Sequence, residues 1–471
     1  MTPYEAVTEH FKFPFEGRSY QVDEVNRLAP LPRAGYYWEP GAGKTFGSTV
    51  HALYLSLSVD INHWFVFMPP ILLRQWQRWL QSVREVSTGQ PLRALRYEGT
   101  KAKRSKLDLD QDFILASYGL LKNDYDYLFD RFSNTRYGVI TDEATAAKNI
   151  ESDTHKAVKT FSEGVPLLVL TGTPLSKPGD AYAYIKLIAP GTYRNQRHFN
   201  KMHAAEFDAY DNVQTWKNLD LLAENMKINT SRLFRREVRT DLPPEPQPNL
   251  VYYELSPAHM KLYHRIAEER LVELDNGTGV IDAVSAQALR TTLQQVVVGW
   301  TDFAQDESVR PAAFDIVENY LQELGGKKLV VVCWFRNSNE RMMKEFASYN
   351  PVVIYGGVTG AARDRAIQKF MEDPDCSLMF LQPSAGGMGV DGLQHVCSDM
   401  LFVECPTLSK DFTQTVARLD RDGQEDVVNV RVAIAEGTVQ VRMFKGLLNN
   451  DELVNSVQGS FKDLREAIYG G

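Results

Sequence analysis

The sequence predicts an α/β protein with two parallel sheets in tandem, each covered by helices on both faces and joined through a helical connector. In two regions of the 471-residue chain, short apolar runs alternate with amphipathic helical runs, the pattern of repeated βαβ units. Between them the segment DLPPEPQP, at 241–248, has four prolines in eight residues, which the interior of a helix or strand does not accommodate. Helical patterns at 257–275 and 283–298 follow the prolines.

These features predict three parts of the chain. The first α/β domain occupies residues 1–240, the proline hinge and helical connector 241–310, and the second α/β domain 311–471. In the first domain, residues 71–86 carry apolar side chains at helical spacing and predict a helix. The predicted strands of this domain are Gly35–Glu39, Trp64–Pro69, Asp112–Ser117, Tyr137–Asp142 and Pro166–Thr171.

The second domain repeats the alternation of strands and helices. Helices are predicted at about 338–348, 363–372 and 409–424. The predicted strands are Lys328–Phe335, Val352–Gly356, Ser377–Pro383, Met400–Cys405 and Val427–Ile434.

Composition excludes several classes of protein. With 44% hydrophobic and 24% charged residues, the chain is neither disordered throughout nor a coiled coil or collagen. No apolar stretch approaches the roughly 18 residues of a membrane span, and the N-terminus lacks the pattern of a signal peptide. Four cysteines without CxxC pairing fit a reducing compartment, so we expect a cytoplasmic protein. A net charge of −8 weakens a nucleic-acid hypothesis without excluding it, because a cleft can be locally positive.

The segment EPGAGKT at 39–45 lies between a predicted strand and a predicted helix, the context of a phosphate-binding loop. Its glycines let backbone N–H groups approach an anion, and the helix N-terminus adds positive potential. We expect Lys44 to reach the β and γ phosphates and Thr45 to bind Mg²⁺. A glycine turn with an incidental lysine is the alternative. The residues assigned to this loop are Gly41, Ala42, Gly43, Lys44 and Thr45.

The strand YGVITDE at 137–143 ends in two acids. Asp142 is the candidate Mg²⁺ ligand, and Glu143 is the candidate for orienting and deprotonating the attacking water. A solvated strand end is the alternative, which the neighbouring phosphate loop disfavours. Upstream, Gln21 has both a donor and an acceptor with which to read an adenine, although a surface amide fits equally well.

The run SKDFTQTVARLDRDGQ at 409–424 predicts a helix with an apolar stripe on one side. Gln414, Arg418 and Arg421 recur at i, i+4 and i+7 on roughly the opposite side. Guanidinium groups suit the oxygens of a transferring phosphoryl group, whereas a solvated helix face is the alternative. The glycine-rich SAGGMGVDGL at 384–393 allows close approach to a phosphodiester backbone or to the nucleotide, unless it is a plain flexible loop.

In chain order, these segments resemble the superfamily two helicases, and within them the Swi/Snf-type DNA-dependent ATPases. The resemblance covers nearly the whole chain. The matching segments are RSYQ (18–21), EPGAGKT (39–45), MPPILLRQW (68–76), ASYGLL (116–121), DEATAAKN (142–149), LTGTP (170–174), LFRREVRTDLPP (233–244), SAGGMGVDGL (384–393) and QTVARLDRDGQ (414–424).

The resemblance implies ATP and Mg²⁺ as cofactors, two RecA-like domains that hydrolyse ATP between them, and nucleic acid crossing both. It assigns the nucleotide to Gln21, Gly389, Asp391 and Gln414 besides the phosphate loop, and catalysis to Lys44, Asp142, Glu143, Arg418 and Arg421. It assigns coupling of hydrolysis to strand contact to Thr171, Gly172 and Thr173. It places along the phosphodiester track Pro69, Ser117, Tyr118, Arg336 and Ser384.

Some positions depart from the family pattern. Trp38 stands at the first glycine of the full phosphate-loop pattern, and Thr145 stands where the acid motif usually has histidine. The large insertions of chromatin remodellers are absent, so the chain resembles the compact form found in bacteriophages and bacteria.

The leading hypothesis is a monomeric, DNA-stimulated ATPase that moves on duplex or branched DNA, for branch migration or remodelling. A strand-separating DNA or RNA helicase, a motor subunit of a defence or restriction complex, and an ATP-gated DNA-binding module with little turnover stay open as alternatives.

Overall fold

The computed structural model divides the chain into two compact units, Met1–Thr240 and Asp241–Gly471. The division into three parts made from the sequence stays a prediction, and both helices of the predicted connector lie in the second unit. The structure describes residues 1–172, 174–175, 177–207, 213–234, 238, 243–274, 283–299, 310–358, 360–383, 390–406 and 409–448.

The first unit is organised around a parallel sheet. Its strands are β1 (Phe11–Lys12), β2 (Arg33–Trp38), β3 (His63–Met68), β4 (Arg84–Glu85), β5 (Ala94–Arg96), β6 (Phe113–Ser117), β7 (Tyr137–Thr141), β8 (Leu167–Leu170), β9 (Ala204–Phe207), β10 (Val213–Trp216) and β11 (Thr230–Leu233). Seven described strands form the main sheet in the order β11-β2-β8-β7-β3-β6-β5, with every neighbouring pair parallel. Strands β1 and β4, and β9 and β10, form small antiparallel pairs.

The helices of the first unit pack around this sheet. They are α1 (Pro3–His10), α2 (Ser19–Leu28), α3 (Lys44–Val59), α4 (Leu73–Ser82), α5 (Lys101–Arg104), α6 (Tyr118–Asn123), α7 (Tyr125–Phe132), α8 (Asp153–Phe161), α9 (Ala181–Ile188), α10 (Gln196–His203) and α11 (Leu219–Met226). The central strands are apolar and buried on both sides, which is the requirement of a parallel sheet covered by helices.

The second unit has its own parallel sheet. Its strands are β12 (Asn249–Tyr253), β13 (Leu329–Val332), β14 (Val352–Ile354), β15 (Leu378–Leu381), β16 (Asp399–Phe402) and β17 (Asn429–Ala435). The described order is β12-β17-β16-β13-β15-β14, and all neighbours run parallel. Its helices are α12 (Pro257–Leu274), α13 (Ala283–Val298), α14 (Ala312–Leu324), α15 (Arg336–Glu345), α16 (Gly360–Glu372), α17 (Ser409–Val416) and α18 (Val439–Leu448).

The fold class read from the sequence is therefore confirmed, with two corrections to helix length. The helix expected over 71–86 begins with a 3₁₀ turn and ends at Ser82, because Val83 adopts an extended conformation that leads into β4. The helix expected over 409–424 ends at Val416. After it, Arg418 and Leu419 donate to carbonyls three residues back, so the chain continues in tight turns.

None of the helices among the described residues is long and apolar enough to cross a membrane.

Candidate nucleotide site

The segment 39–45, predicted to be a phosphate loop, follows the carboxyl end of β2, and helix α3 begins within it. Gly41 and Gly43 have φ angles of 85° and 93°, in the left-handed region that glycine adopts without strain. Helix α3 begins at Lys44, and no side chain caps its N-terminus. The first N–H groups of this helix are therefore oriented for an anion, as the nucleotide hypothesis requires.

Gln21 supports this loop from α2. Its side chain is buried; Nε2 donates to the carbonyl of Ala42 at 3.1 Å, and Oε1 accepts from the backbone of Arg18 at 3.0 Å. A Cβ atom at Gly43 would overlap sterically with the Gln21 amide. The amide thus fixes the position of the loop, and its reading of adenine stays a prediction.

Lys44 and Thr45 are at the start of α3. The ammonium group of Lys44 donates to the carbonyl of Trp38 at 2.8 Å, so it lies at the mouth of the loop. Its charge also acts on Asp142, where it opposes the rise in pKa that burial causes. Lys44 of the predicted phosphate loop and Asp142, which follows β7, therefore belong to one site.

Asp142 is 7% exposed and follows the carboxyl end of β7. Its Oδ2 accepts from the indole of Trp76 at 2.8 Å, and its Oδ1 accepts from the backbone N–H of Glu143 at 2.8 Å. Burial and, to a smaller extent, the neighbouring Glu143 carboxylate raise the pKa of Asp142 to about 6, although the Lys44 charge and the Trp76 hydrogen bond oppose the shift. A cation beside this carboxylate would relieve the cost of its burial.

Glu143 has a φ angle of 49°, which is unusual for a residue with a side chain. It precedes the 3₁₀ turn Ala144–Ala147. Strained conformations of this kind persist where the surrounding structure over-determines them, and they cluster at functional sites. The strain therefore adds to the case that this acid has a chemical role.

The segment predicted to couple hydrolysis to strand contact begins at Thr171, directly after β8, which lies between β2 and β7 in the sheet. Thr171 is buried, and its N–H donates to the carbonyl of Tyr36 at 3.2 Å. A Cβ atom on Gly172 would come within 3.0 Å of Pro40 in the phosphate loop. The turn and the loop are thus in close contact, while Thr173 lies outside the described residues.

The oxygen atoms and N–H groups of this site suit a nucleotide with Mg²⁺. Mg²⁺ prefers oxygen ligands and is commonly held by one or two protein groups together with phosphates. The Thr45 hydroxyl and the buried Asp142 carboxylate supply such oxygens, and the glycine cradle supplies N–H donors for phosphate. These residues fit the group that the sequence predicts.

The residues predicted for the nucleic-acid track have different surroundings. Pro69 follows β3, and Ser117 is the last residue of the paired strand β6. The Ser117 hydroxyl caps α6 by accepting from the backbone N–H of Leu120 at 3.3 Å. Tyr118 is buried, and its hydroxyl donates to the carbonyl of Asp142 at 2.8 Å. Tyr118 thus supports the acid turn, while the track itself stays a prediction.

In the second unit, the structure brings Arg418, Arg421 and Asp391 together. Arg421 forms an ion pair with Asp391 at 3.2 Å, and Arg418 donates to the carbonyl of Val390 at 3.4 Å. Gln414 is buried, 7% exposed, although the helical spacing places it on the side opposite the apolar stripe, and its binding to the nucleotide stays a prediction. Gly389 lies outside the described residues.

Arg336 is at the start of α15 and its side chain is 64% exposed. It pairs with Glu340 at 2.8 Å, and its guanidinium lies 5.1 Å from the ring centre of Tyr355. An exposed cation with these neighbours can contact a phosphate. Ser384 lies outside the described residues.

Sequence reasoning missed two contributors to the first-unit site. The indole of Trp76 holds the Asp142 carboxylate. The guanidinium of Arg232 donates to the carbonyls of Tyr37 and Gly172. Neither contact leaves a signal in sequence spacing, because each joins elements far apart in the chain.

A predicted phosphate loop and a buried acid lie at the carboxyl end of one parallel sheet, and a second parallel-sheet unit follows in the chain. This arrangement fits the class of helicase-like nucleoside triphosphatases. The model of the SNF2-related domain matches residues 38–297, more than half of the chain, and the protein belongs to this family. The predicted Swi/Snf resemblance is therefore confirmed, while the compact bacteriophage or bacterial form stays a prediction.

Curated relatives align with most of the chain. The chain is 24% identical to Chromodomain-helicase-DNA-binding protein 1-like of Danio rerio, over 96% of the chain and 45% of that protein. It is also 24% identical to the DNA annealing helicase and endonuclease ZRANB3 of Homo sapiens, over 75% of the chain and 32% of that protein. The chain thus spans less than half the length of these relatives. The solved SWI2/SNF2 ATPase core of Sulfolobus solfataricus in complex with dsDNA is 20% identical, with 97% of each chain covered and a TM-score of 0.44.

Proposed function

We propose that the protein is a DNA-stimulated ATPase that uses ATP hydrolysis to move on duplex or branched DNA. The observation that carries this proposal is that three motifs lie at the carboxyl edge of the first sheet. The phosphate loop, the buried Asp142 and the Gly172 turn lie there, in a chain of the SNF2-related family. Family members named for action on DNA support the choice of nucleic acid.

The residues have distinct proposed roles. Lys44 and the N–H groups of the loop hold the phosphates, and Gln21 reads the adenine while it fixes the loop. Thr45 and Asp142 would hold Mg²⁺, which supplies charge neutralisation at the phosphates when bound. Glu143 orients the attacking water and accepts its proton.

From the second unit, Arg418 and Arg421 are proposed to contribute positive charge to the transferring phosphoryl group. Asp391 pairs with Arg421, and Gln414 is proposed to bind the nucleotide. An arginine used in this way raises the rate of hydrolysis by about 10³–10⁵-fold. Pro69, Ser117 and Arg336 are the described residues proposed to follow the phosphodiester backbone. We propose that the active form is a monomer in the cytoplasm.

The decisive experiment measures phosphate release with and without duplex DNA. We expect strong stimulation in the wild type and its loss in Lys44→Ala and in Arg421→Ala. The matched control is Lys156→Ala, which removes an exposed lysine paired with Glu151. Turnover that no nucleic acid changes would contradict the motor, and DNA binding that needs ATP without turnover would identify a nucleotide-gated binding module.

Two further assays separate the remaining alternatives. A forked DNA labelled for strand release distinguishes a strand-separating helicase from a translocase, which should hydrolyse ATP on this substrate without releasing the strand. A panel of single-stranded, duplex and four-way DNA ranks the preferred structure by ATPase rate. Co-purification with a nuclease would instead favour a motor subunit of a defence or restriction complex.

A further inference from the structure

Arg232 joins the ends of three neighbouring strands. It lies in the edge strand β11, in register with Tyr37 of β2. One terminal nitrogen of its guanidinium donates to the carbonyl of Tyr37 at 3.0 Å and to the carbonyl of Gly172 at 2.8 Å. Its guanidinium carbon lies 4.6 Å from the ring centre of Phe234, which holds the group in place by a cation–π contact.

The two acceptor carbonyls belong to different segments of the candidate site. Tyr37 is the penultimate residue of β2, which leads into the phosphate loop, whereas Gly172 belongs to the turn after β8. Strand β2 lies between β11 and β8 in the sheet, so the side chain reaches across the end of β2. Hydrogen bonds from a charged donor are stronger than neutral ones, so this one nitrogen ties the loop strand to the coupling turn.

The contact is poorly explained as a support for the fold alone. Strand β11 is already held by a parallel ladder to β2 over four residue pairs. Arg232 as a whole is an exposed residue, and its guanidinium meets the rest of the unit at the carbonyls beside the loop. The Gly172 turn also touches Pro40 of the loop, so a shift of the turn is transmitted along two paths.

We propose that Arg232 is a positioning residue that couples the Gly172 turn to the phosphate loop, so that DNA binding accelerates hydrolysis. This inference rests on the proposed function. It predicts that loss of Arg232 uncouples the two events: DNA still binds and ATP is still hydrolysed slowly, but DNA no longer raises the rate. A purely structural role would instead lower basal and stimulated rates together.

The test compares Arg232→Met, which keeps a long apolar stem, with Arg232→Lys, which keeps a charge that can reach one carbonyl. Arg27→Met is the matched control, because Arg27 donates to Thr230 in the same strand at 2.8 Å, at its other end. Four quantities are measured for each variant: basal kcat, DNA-stimulated kcat, the KM for ATP, and the Kd for DNA by fluorescence anisotropy.

We expect the DNA-stimulated kcat of Arg232→Met to fall about tenfold, while basal kcat, KM for ATP and Kd for DNA each change less than about threefold. Arg232→Lys should recover part of the stimulation, and Arg27→Met should match the wild type. Unchanged stimulation in Arg232→Met, an equal fall in both rates, or weakened DNA binding would each overturn the inference. A wild-type enzyme that DNA does not stimulate would overturn the proposed function, and the inference with it.

Discussion

At the residue scale, the carboxylate of Asp142 is held by an indole and a backbone N–H, so each of its oxygens has a fixed direction. A metal ligand needs this kind of support, because groups that orient a ligand strongly affect metal affinity and activity. Trp76 supplies the support from α4 through a hydrogen bond of 2.8 Å. The indole thus has a chemical role in addition to its place in the core.

Trp76→Phe removes the indole N–H and keeps an aromatic ring in the core. We expect ATPase activity or apparent Mg²⁺ affinity to fall by about 10–100-fold, the usual effect of losing such a partner. Activity is measured across a Mg²⁺ titration. Trp79→Phe is the control, since Trp79 lies on the same helix but donates to Thr49 at 3.0 Å. Equal activities of the two variants would contradict the role of Trp76.

A second residue-scale prediction concerns Gly43, where both the backbone angle and the space exclude a side chain. In Gly43→Ala, the alanine would have to adopt a φ of 93°, and its Cβ atom would collide with the Gln21 amide. Both effects should displace the phosphate loop. We expect binding of a fluorescent ATP analogue to be lost while the protein stays folded. Gly89→Ala is the control, because φ is 68° there but no atom lies within 4 Å of the added Cβ. Retained nucleotide binding in Gly43→Ala would contradict the assigned loop geometry.

At the scale of elements, a buried carboxyl joins the segment after strand β16 to the N-terminal end of helix α15. Glu404 follows β16 and is fully buried, and it accepts hydrogen bonds from the Ser338 hydroxyl and from the N–H of Phe335 at the start of α15. Burial raises the pKa of Glu404 to about 7, and the hydrogen bonds from Ser338 and Phe335 oppose the shift. The position of α15 thus depends on a group that titrates near neutral pH.

Because the folded-state pKa of Glu404 lies above its unfolded value of 4.5, the folded state binds more protons between those values. The free energy of unfolding contributed by Glu404 is therefore greatest below pH 4.5 and falls as pH rises to about 7. The slope is at most about 1.4 kcal/mol per pH unit. Denaturant unfolding of the wild type and Glu404→Gln at several pH values gives the difference between them. A difference independent of pH would contradict the raised pKa.

The elements show what could be predicted from the sequence and why. Buried central strands such as β3 and β7 are continuous apolar runs, and their predicted bounds agree with the structure within a residue or two. The edge strands β11 and β12 are only partly buried, so they lack that signal and were not predicted. The helix at 409–424 was overextended, because i, i+4 and i+7 spacing also fits a helix followed by tight turns.

The candidate site likewise has residues that could be predicted from the sequence and contacts that could not. Glycines, Lys44 and the acids of the first unit form local motifs, and such motifs can be recognised from neighbouring residues alone. The links from Trp76 to Asp142 and from Arg232 to Gly172 cross about 60 residues of chain or more, and they depend on how the strands are ordered. Sequence spacing carries no information on such contacts.

At the scale of the whole molecule, a chain with a net charge of −8 is proposed to bind a polyanion. The net negative charge of the chain opposes that binding. The cationic side chains that contact DNA must therefore be concentrated on one part of the surface, where they neutralise phosphates. Arg336 illustrates such a cation, since its side chain is 64% exposed at the first residue of a helix. Binding of this kind releases counterions and is therefore strongly dependent on salt.

If six to ten phosphates are contacted, DNA affinity should fall by about 10³–10⁵-fold between about 50 and 200 mM salt. Arg336→Gln should weaken binding to every sequence and reduce the slope of log Kd against log salt by about 1. Arg93→Gln is the control, because Arg93 is exposed and paired with Asp112 next to the amino end of β6. Anisotropy titrations at several salt concentrations give both slopes. A flat response in the wild type would remove the phosphodiester track, whereas a normal wild-type slope that Arg336→Gln leaves unchanged would remove Arg336 from it.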